Sequence, residues 1–270
     1  MTDQSLTFIG GGNMARALIG GALAAGTQPD QITVIDPGDS ARTDCRAQFG
    51  VNTLEFLDAS SARATVVVLA VKPQVMNSAL TALAPLRGAD SVVISVAAGV
   101  TLERLAATLG ADCPLVRAMP NTPALFGAGI SGLVASPSCS EGQRKAASAV
   151  LAAAGQCVWL DDEALMDSVT AVSGSGPAYF FRFVEALALA GEHAGLPADV
   201  ARQLARQTAI GAGEMLRHSP LEAGDLRRQV TSPGGTTQAA LEQFENDGLA
   251  TIIDNAVRAA VKRGRELGEN

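Results

Sequence analysis

The feature that most constrains the fold is a glycine-rich turn near the start of the chain, between a β-prone run and an alanine-rich segment. The run is Leu6 to Ile9, the turn has the sequence G-G-G-N-M-A from Gly10 to Ala15, and Arg16 to Ala25 has helical composition. In this context the spacing G-x-G-x-x-A is typical of dinucleotide-binding Rossmann folds. The first glycine permits the tight turn and the second lets the backbone approach a pyrophosphate. We therefore expect a doubly wound α/β domain at the start.

A second predicted strand, Ile32 to Ile35, ends at Asp36. The acidic residue that binds a ribose 2′-hydroxyl, and so favours NAD over NADP, lies about 20 residues after such a fingerprint. In an alternative interpretation, Asp36 only opens the Asp-Pro-Gly turn. Arg42 follows shortly after and would suit a 2′-phosphate instead. The sequence therefore leaves both NADH and NADPH open as the cofactor.

Two further apolar runs, Thr65 to Val71 and Ser91 to Val96, are typical of parallel strands covered on both faces. Ligands of doubly wound sheets bind at the carboxyl ends of the strands, which places Ala70 to Pro73 and Val96 to Ala98 at the predicted cofactor site. Other segments are predicted to complete this domain: strands at Leu115 to Met119, Ile130 to Ala135 and Cys157 to Leu160, and a helix at Glu141 to Ala154. We expect a domain boundary after Leu160, giving a Rossmann-type domain over 1–160 and an all-α domain over 161–270.

The second half of the chain is helical and unusually apolar. A helix is predicted from Glu163 to Val172, an interruption at Ser173 to Pro177, a long helix from Ala178 to Ala194, and another from Pro197 to Leu216. The long helix is apolar nearly all round, and such a helix must be buried on every side. In a domain of roughly 110 residues we expect a partner chain to supply part of that cover, in a dimer with interlocked helices. The alternative is burial within one chain.

One loop in this half is hard to explain by packing alone, the sequence V-T-S-P-G-G-T-T from Val230 to Thr237. Pro233 cannot continue a preceding helix, and the glycines after it allow unusual backbone angles. Thr236 or Thr237 is predicted as the N-cap of the next helix. A helix that begins here presents free N–H groups and a positive dipole end, which suits a carboxylate or a phosphate. The alternative is an ordinary connection between two helices.

Composition excludes several classes of function. The chain has 270 residues, 47% of them hydrophobic and 17% charged, which indicates an ordered globular protein. A net charge of −7 argues against nucleic acid or a membrane surface as partner. His193 and His218 lack metal-ligand spacing, so no metal is expected. Scattered cysteines, no predicted signal segment and no long apolar run together indicate the cytoplasm; the cysteines are Cys45, Cys113, Cys139 and Cys157.

A dinucleotide domain followed by a helical domain indicates hydride transfer. Enzymes that oxidise alcohols often use a lysine as acid and base, but this chain has none between Lys145 and Lys262. An imine nitrogen is basic enough to arrive protonated, so reduction of a C=N bond needs no strong acid. An imine reductase is therefore one option. The others are a hydroxy-acid dehydrogenase and a non-catalytic dinucleotide sensor.

Six stretches together resemble the pyrroline-5-carboxylate reductase family. The similarity extends from about Leu6 to the last helix, and the final two stretches are highly specific. They are Phe8 to Ala15, Ala70 to Gln74, Ile94 to Gly99, Arg117 to Pro123, Ser173 to Tyr179 and Val230 to Thr237. The resemblance implies that NADPH or NADH reduces the ring C=N bond of 1-pyrroline-5-carboxylate to L-proline, the last step of proline biosynthesis. It also implies a Rossmann domain and a dimerisation domain that interlocks with a second chain, with dimers assembling further into decamers.

The resemblance also implies roles for individual residues. Thr237 would orient or protonate the ring nitrogen, with Glu163 and Thr170 as neighbours of the substrate. The substrate carboxylate would be held by Ser232, Gly234, Gly235, Thr236 and Thr237. The cofactor would be held by Ile9, Gly10, Gly11, Gly12, Asn13, Met14, Ala70, Val71, Lys72, Pro73, Val96, Ala97 and Ala98. The spacing of the fingerprint, and not the resemblance, places Asp36 at the ribose.

This chain departs from the family pattern in two places. Family members tend to carry small polar or basic residues after the second strand, whereas this chain has Asp36-Pro37-Gly38-Asp39. Their contact to a 2′-phosphate is therefore in doubt here. Gln229 replaces an asparagine that is frequent beside the substrate loop, a change that preserves polarity.

Overall fold

A single sheet of eight strands organises the first part of the chain in the computed structural model, which describes residues 4–268. The spatial order is β3-β2-β1-β4-β5-β6-β7-β8, and every neighbouring pair is parallel except β6 and β7. The strands are β1 Leu6–Ile9, β2 Ile32–Ile35, β3 Asn52–Leu54, β4 Val66–Leu69, β5 Val92–Ser95, β6 Leu115–Met119, β7 Gly129–Ala135 and β8 Gly155–Trp159. The order reverses direction at β1, which confirms the predicted doubly wound sheet.

Eleven α-helices accompany the sheet within the described residues. Six precede residue 176: α1 Asn13–Ala24, α2 Asp39–Phe49, α3 Met76–Leu83, α4 Leu102–Leu109, α5 Glu141–Ala152 and α6 Met166–Val169. Five follow: α7 Gly176–His193, α8 Ala198–His218, α9 Ala223–Gln229, α10 Thr236–Asn246 and α11 Leu249–Gly268. The all-α character predicted for the second half is confirmed.

The described residues divide into two compact units. Residues 4–175 and 260–268 form the sheet unit, and residues 176–259 form the helical unit. The domain boundary predicted from the sequence lies after Leu160. The division between the two units lies later, after residue 175, and the end of α11 belongs to the sheet unit. A boundary at Leu160 stays a prediction.

Both faces of the sheet are covered by apolar layers, as parallel strands require. Phe8 and Val34 point into one layer with Leu18 of α1, while their chain neighbours Ile9 and Ile35 point into the other. Phe8, Val34 and Leu18 are completely buried. Burial of each large apolar side chain stabilises the fold by about 1.5–3 kcal/mol. A shift in strand register would lose this burial, so the two layers hold the strands in register. The strand ends, where ligands bind, are thereby held in place.

The helical unit leaves most of its apolar surface uncovered in the single chain. Its buried residues are few and small: Gly176, Ala188, Ala201 and Ala205. By contrast, Phe180 and Phe181 of α7 are 71% and 66% exposed. Within residues 4–268 no element covers Phe180 or Phe181, which counts against the alternative of burial within one chain.

The predicted interruption at Ser173 to Pro177 is wrong as a break in helical structure. Residues Thr170–Gly174 form a π-helical turn that continues α6, and α7 begins at Gly176. The Ser175 N–H donates to the Thr170 carbonyl at 2.8 Å, which gives the wider turn. A Cβ on Gly174 would lie 2.7 Å from the terminal methyl of Met119, so glycine lets the turn pack closely on the end of β6.

Candidate functional site

The predicted cofactor residues come together at the carboxyl edge of the sheet, at the ends of three neighbouring strands. The Ala70 N–H, after β4, donates to the Ile9 carbonyl at 2.8 Å, and the Val96 N–H, after β5, donates to the Leu69 carbonyl at 3.2 Å. Gly10 has φ +104°, and a Cβ there would lie 2.6 Å from the Ala70 carbonyl oxygen. Only glycine fits this turn, so Gly10 sets the path of the chain from β1 into α1.

The N-terminus of α1 leaves room for a phosphate. Gly12 is its N-cap, with no side-chain cap, and both Gly12 and Asn13 are exposed. A Cβ built on Gly12 would meet nothing within 4 Å, so the space in front of the helix is open. Uncapped N–H groups at the positive end of a helix dipole bind pyrophosphate oxygens. The residues present therefore fit a dinucleotide.

Asp36 does more than open a turn. One of its carboxylate oxygens accepts the Gly11 N–H and the other accepts the Gly38 N–H, both at 2.8 Å. The carboxylate thus joins the glycine-rich turn to the turn that follows β2. Cys45 lies buried below, and burial raises the pKa of its thiol, so it is a neutral packing group.

Arg42 folds back on the turn that precedes it. Its Nη1 donates to the carbonyl oxygens of Asp36 and Pro37 at 2.7 and 2.9 Å, and its Nη2 lies 3.1 Å from a carboxylate oxygen of Asp39. The Arg42 side chain is 13% exposed and that of Asp39 82%. Neither the pairing of Arg42 with Asp39 nor the double use of Asp36 was predicted from the sequence.

The loop after β5 packs against the end of the chain. Ala98 is exposed and Gly99 has φ +75°. A Cβ on Gly99 would lie 3.3 Å from the Leu267 carbonyl oxygen in the last turn of α11. The small residues at Ala97 and Ala98 leave room beside this contact for a flat ring. The final helical turn therefore backs the loop predicted to face the nicotinamide.

The V-T-S-P-G-G-T-T loop forms a tight turn that opens α10. Gly234 has φ +69°, and the Gly235 N–H donates to the Ser232 carbonyl at 3.0 Å. The predicted N-cap at Thr236 or Thr237 is wrong: Gly235 is the N-cap, and the threonines are the first two helical residues. Glycine suits the position because a Cβ there would lie 3.0 Å from the Ser232 carbonyl oxygen, and α10 has no side-chain cap.

Gln238 was not predicted from the sequence, and its side chain stabilises the conformation of the loop. Its side-chain oxygen accepts the Gly234 N–H at 2.7 Å, and its amide nitrogen donates to Glu242 at 2.7 Å. Ser232, Thr236 and Thr237 are exposed, and within the described residues their hydroxyls make no hydrogen bond. The loop therefore offers hydroxyl groups and helix N–H groups that the chain itself does not use. A glutamine in the first turn after Pro-Gly-Gly was the available signal for Gln238.

Two predicted neighbours of the substrate, Glu163 and Thr170, belong to the sheet unit. Glu163 accepts the Leu102 N–H at 2.9 Å and pairs with Arg117 at 2.8 Å. The Thr170 hydroxyl donates to the Met166 carbonyl at 2.9 Å, within its own helix. Both side chains therefore have structural partners, and their proximity to substrate stays a prediction.

Two other features are absent from residues 4–268. That range has no group of three or more histidine, cysteine or acidic side chains placed so that they could hold a metal ion. None of the helices there is both long enough and apolar enough to cross a membrane.

Both parts of the chain match models of known protein families. Residues 163–267 match the family model for pyrroline-5-carboxylate reductase dimerisation, and residues 5–99 match the model for NADP oxidoreductases that are coenzyme F420-dependent. The first match begins close to the predicted boundary and covers the helices whose apolar faces are uncovered in the single chain. The chain is thus similar to proteins that form homo-oligomers through this region.

Full-length relatives agree with the two matches. The chain is 46% identical to a pyrroline-5-carboxylate reductase of Pseudomonas aeruginosa, over 100% of this chain and 98% of the relative, and 42% identical to one of Haemophilus influenzae, over 99% and 98%. A solved reductase of this kind from Coxiella burnetii superposes with a TM-score of 0.94 at 37% identity, covering 100% of both chains. One from Plasmodium falciparum, solved with NADP bound, superposes with a TM-score of 0.83 at 28% identity over 99% of both.

Proposed function

The chain belongs to the pyrroline-5-carboxylate reductase family, and we propose that it binds its substrate through the V-T-S-P-G-G-T-T loop. It is an NAD(P)H-dependent oxidoreductase that reduces the C=N bond of 1-pyrroline-5-carboxylate to L-proline, the last step of proline biosynthesis. The observation that carries the assignment to the loop is the N-terminus of α10, which has no side-chain cap and lies beside the hydroxyls of Ser232, Thr236 and Thr237, which have no hydrogen-bond partner among residues 4–268.

The substrate carboxylate would accept hydrogen bonds from the Ser232 hydroxyl and from the backbone N–H groups of Thr236 and Thr237. The Gly234 and Gly235 N–H groups already donate to Gln238 and to the Ser232 carbonyl, so these glycines would shape the binding loop without donating to the substrate. Arg227 and Arg228, at the end of α9, add positive charge just before the loop. The α10 dipole favours an anion at the same place, by about 0.3–1 kcal/mol at an exposed site. These terms act together on a carboxylate, which is the charged group that the substrate carries.

Thr237 would face the ring nitrogen, with Glu163 and Thr170 nearby. As the second residue of α10, Thr237 is fixed by the helix backbone, so its hydroxyl direction depends on a single side-chain torsion. A hydroxyl held in this way would either accept the N–H of an imine that arrives protonated, and so orient it, or donate its proton to an unprotonated ring nitrogen while it takes another proton from water. The chemistry needs placement more than a strong acid.

The cofactor would lie across the carboxyl edge of the sheet. Gly10 to Met14 would hold the pyrophosphate and Asp36 the ribose. Ala70 to Pro73 and Val96 to Ala98 would line the rest of the path. When bound, the reduced nicotinamide supplies the hydride. Open space at Gly12 and the uncapped start of α1 support this arrangement.

The active form would be an interlocked homodimer in the cytoplasm, with dimers assembling further up to a decamer. Exposed phenylalanines on α7 support the dimer, and the exposed pair Leu125 and Phe126 in the sheet unit supports further assembly. Four free cysteines, three of them buried, support a reducing compartment.

The test is the loss of reduced-nicotinamide absorbance when 1-pyrroline-5-carboxylate is added to the enzyme with NADH or NADPH. Substrate-dependent oxidation, with L-proline as product, is the expected result. A folded protein that binds the cofactor in calorimetry but oxidises neither form would overturn the function. The loop assignment is tested separately by loss of substrate affinity in Ser232→Ala.

A further inference from the structure

We propose that the turn between β2 and α2 makes this enzyme prefer NADH, and that Asp39 enforces the preference by holding Arg42 away from the ribose 2′ position. The inference rests on the proposed function, because it assumes that the cofactor lies along the carboxyl edge of the sheet with its ribose at Asp36. It goes further in naming which of the two cofactors the chain selects and which side chain decides.

Asp36 is fixed in the orientation that a ribose diol needs. Its two oxygens are each held by one backbone N–H, from Gly11 and Gly38, at 2.8 Å. A carboxylate has about four lone-pair positions, so each oxygen keeps one to accept a ribose hydroxyl. A 2′-phosphate at the same place would instead bring its negative charge against a carboxylate that cannot swing away.

Arg42 is the nearby cation that would otherwise neutralise such a phosphate. Its guanidinium has five N–H donors, and three are spent on the carbonyl oxygens of Asp36 and Pro37 and on the Asp39 carboxylate. With 13% of its side chain exposed, Arg42 lies under the turn instead of above it. Asp39, 82% exposed, supplies a second negative charge on the outer side.

The formal charge of the three side chains is therefore −1, and the Asp39 carboxylate is far more exposed than the Arg42 side chain. An incoming 2′-phosphate meets net repulsion, whereas a 2′-hydroxyl meets a hydrogen-bond acceptor. The Plasmodium falciparum relative was solved with NADP bound. Because we propose NADH for this chain, members of one family would differ in the cofactor they select. In this chain the residues of the turn between β2 and α2 would determine that selection.

The experiment uses two probes that differ only in the phosphate, ADP-ribose and 2′-phospho-ADP-ribose, and measures their dissociation constants by calorimetry on the intact enzyme. The wild type should bind ADP-ribose about tenfold more tightly, a difference of about 1.4 kcal/mol, because the 2′-phosphate of the other probe meets an unfavourable charge contact. Equal affinity, or tighter binding of the phosphorylated probe, would overturn the proposed preference.

Asp39→Asn tests the role of Asp39. Replacing the carboxylate by a neutral amide removes one negative charge and weakens the contact that holds the Arg42 Nη2, so affinity for 2′-phospho-ADP-ribose should rise about tenfold while that for ADP-ribose stays the same. The double variant Asp39→Asn, Arg42→Met should lose most of that gain. A gain that survives in the double variant would show that charge alone, and not the release of Arg42, is responsible, and would overturn that step.

Glu141→Gln is the matched control. Glu141 also lies in the first turn of a helix, α5, and pairs with a basic residue one turn later, Lys145. The net charge changes by the same amount, and neither probe should respond. Because the probes carry no nicotinamide and no substrate is present, these affinities stand or fall independently of whether 1-pyrroline-5-carboxylate is reduced.

Discussion

The Arg117 guanidinium lies 2.8 Å from the Glu163 carboxylate, with the arginine side chain 7% exposed and the glutamate 28%. Arg117 comes from β6, and the same Glu163 oxygen accepts the N–H of Leu102 at the start of α4. A second carboxylate, Asp167, lies 3.9 Å from Arg117. The pair therefore connects the sheet, α4 and the entry to α6 at one largely buried point.

Glu163→Gln should destabilise the enzyme by roughly 2–3 kcal/mol, because an almost buried guanidinium loses its main counter-charge while the amide can still accept the Leu102 N–H. The midpoint of urea unfolding at fixed protein concentration measures the change. Glu103→Gln, on an exposed position of α4, is the control and should leave the midpoint in place. A large rise in the KM for substrate, without loss of stability, would instead favour the predicted contact of Glu163 with the substrate.

Substitution of two glycines in the glycine-rich turn should have different effects, one on stability and the other on cofactor binding. Gly10→Ala should cost roughly 2–4 kcal/mol of stability, because its positive φ and the Ala70 carbonyl leave no place for a Cβ. Gly12→Val should fold, since space there is open, yet fail to bind ADP-ribose because the side chain fills the phosphate position. Unfolding midpoints and calorimetric titration separate the two effects. A Gly12→Val protein that binds normally would refute the predicted phosphate site.

The two threonines at the start of α10 form a matched pair. Thr237→Val should lower kcat about a hundredfold, as expected for loss of one well-placed donor to the reacting group, with cofactor affinity unchanged. Thr236→Val keeps the backbone N–H through which Thr236 is proposed to act, so its kcat should change little. Steady-state rates at saturating cofactor measure both. Equal effects in the two variants would contradict a specific role for the Thr237 hydroxyl.

The exposed face of α7 should control assembly. Phe180→Asp places a charge on a side chain that is 71% exposed in the single chain and should shift the sedimenting species toward the monomer. Phe56→Asp is the control, since Phe56 is 72% exposed but lies in the sheet unit, outside the matched dimerisation region. An unchanged sedimentation profile for Phe180→Asp would exclude α7 from the interface.

Most of the sheet could be predicted from the sequence, because its central strands are short apolar runs that are typical of parallel strands covered on both faces. β4 and β5 lie inside the predicted segments, shortened by one or two residues at each end. β3 was missed: it is three residues long, Asn52–Leu54, only partly buried, and pairs with a single neighbour, so it has no apolar signature.

The site was predictable where its residues are close in the chain and not where they are far apart. The glycine turn and the α10 loop are local motifs, and both form loops at helix starts. The pairing of Arg117 with Glu163 spans 46 positions, and that of Asp36 with Gly11 spans 25. Such pairs depend on strand register and helix packing, which no local pattern encodes. The N-cap at Gly235 was misjudged because threonine is the better cap in general, whereas here the threonines are left free.

The last turn of α11 lies in the sheet unit, with the Leu267 carbonyl behind Gly99, although the rest of that unit ends at residue 175. On the ribosome, the sheet is complete in sequence long before this turn is synthesised. Domains generally fold as units during synthesis, N-terminal first. Here the loop after β5, which is predicted to face the nicotinamide, gains its final support only after α11 has been synthesised, so maturation of the sheet unit depends on residues that follow the whole helical unit.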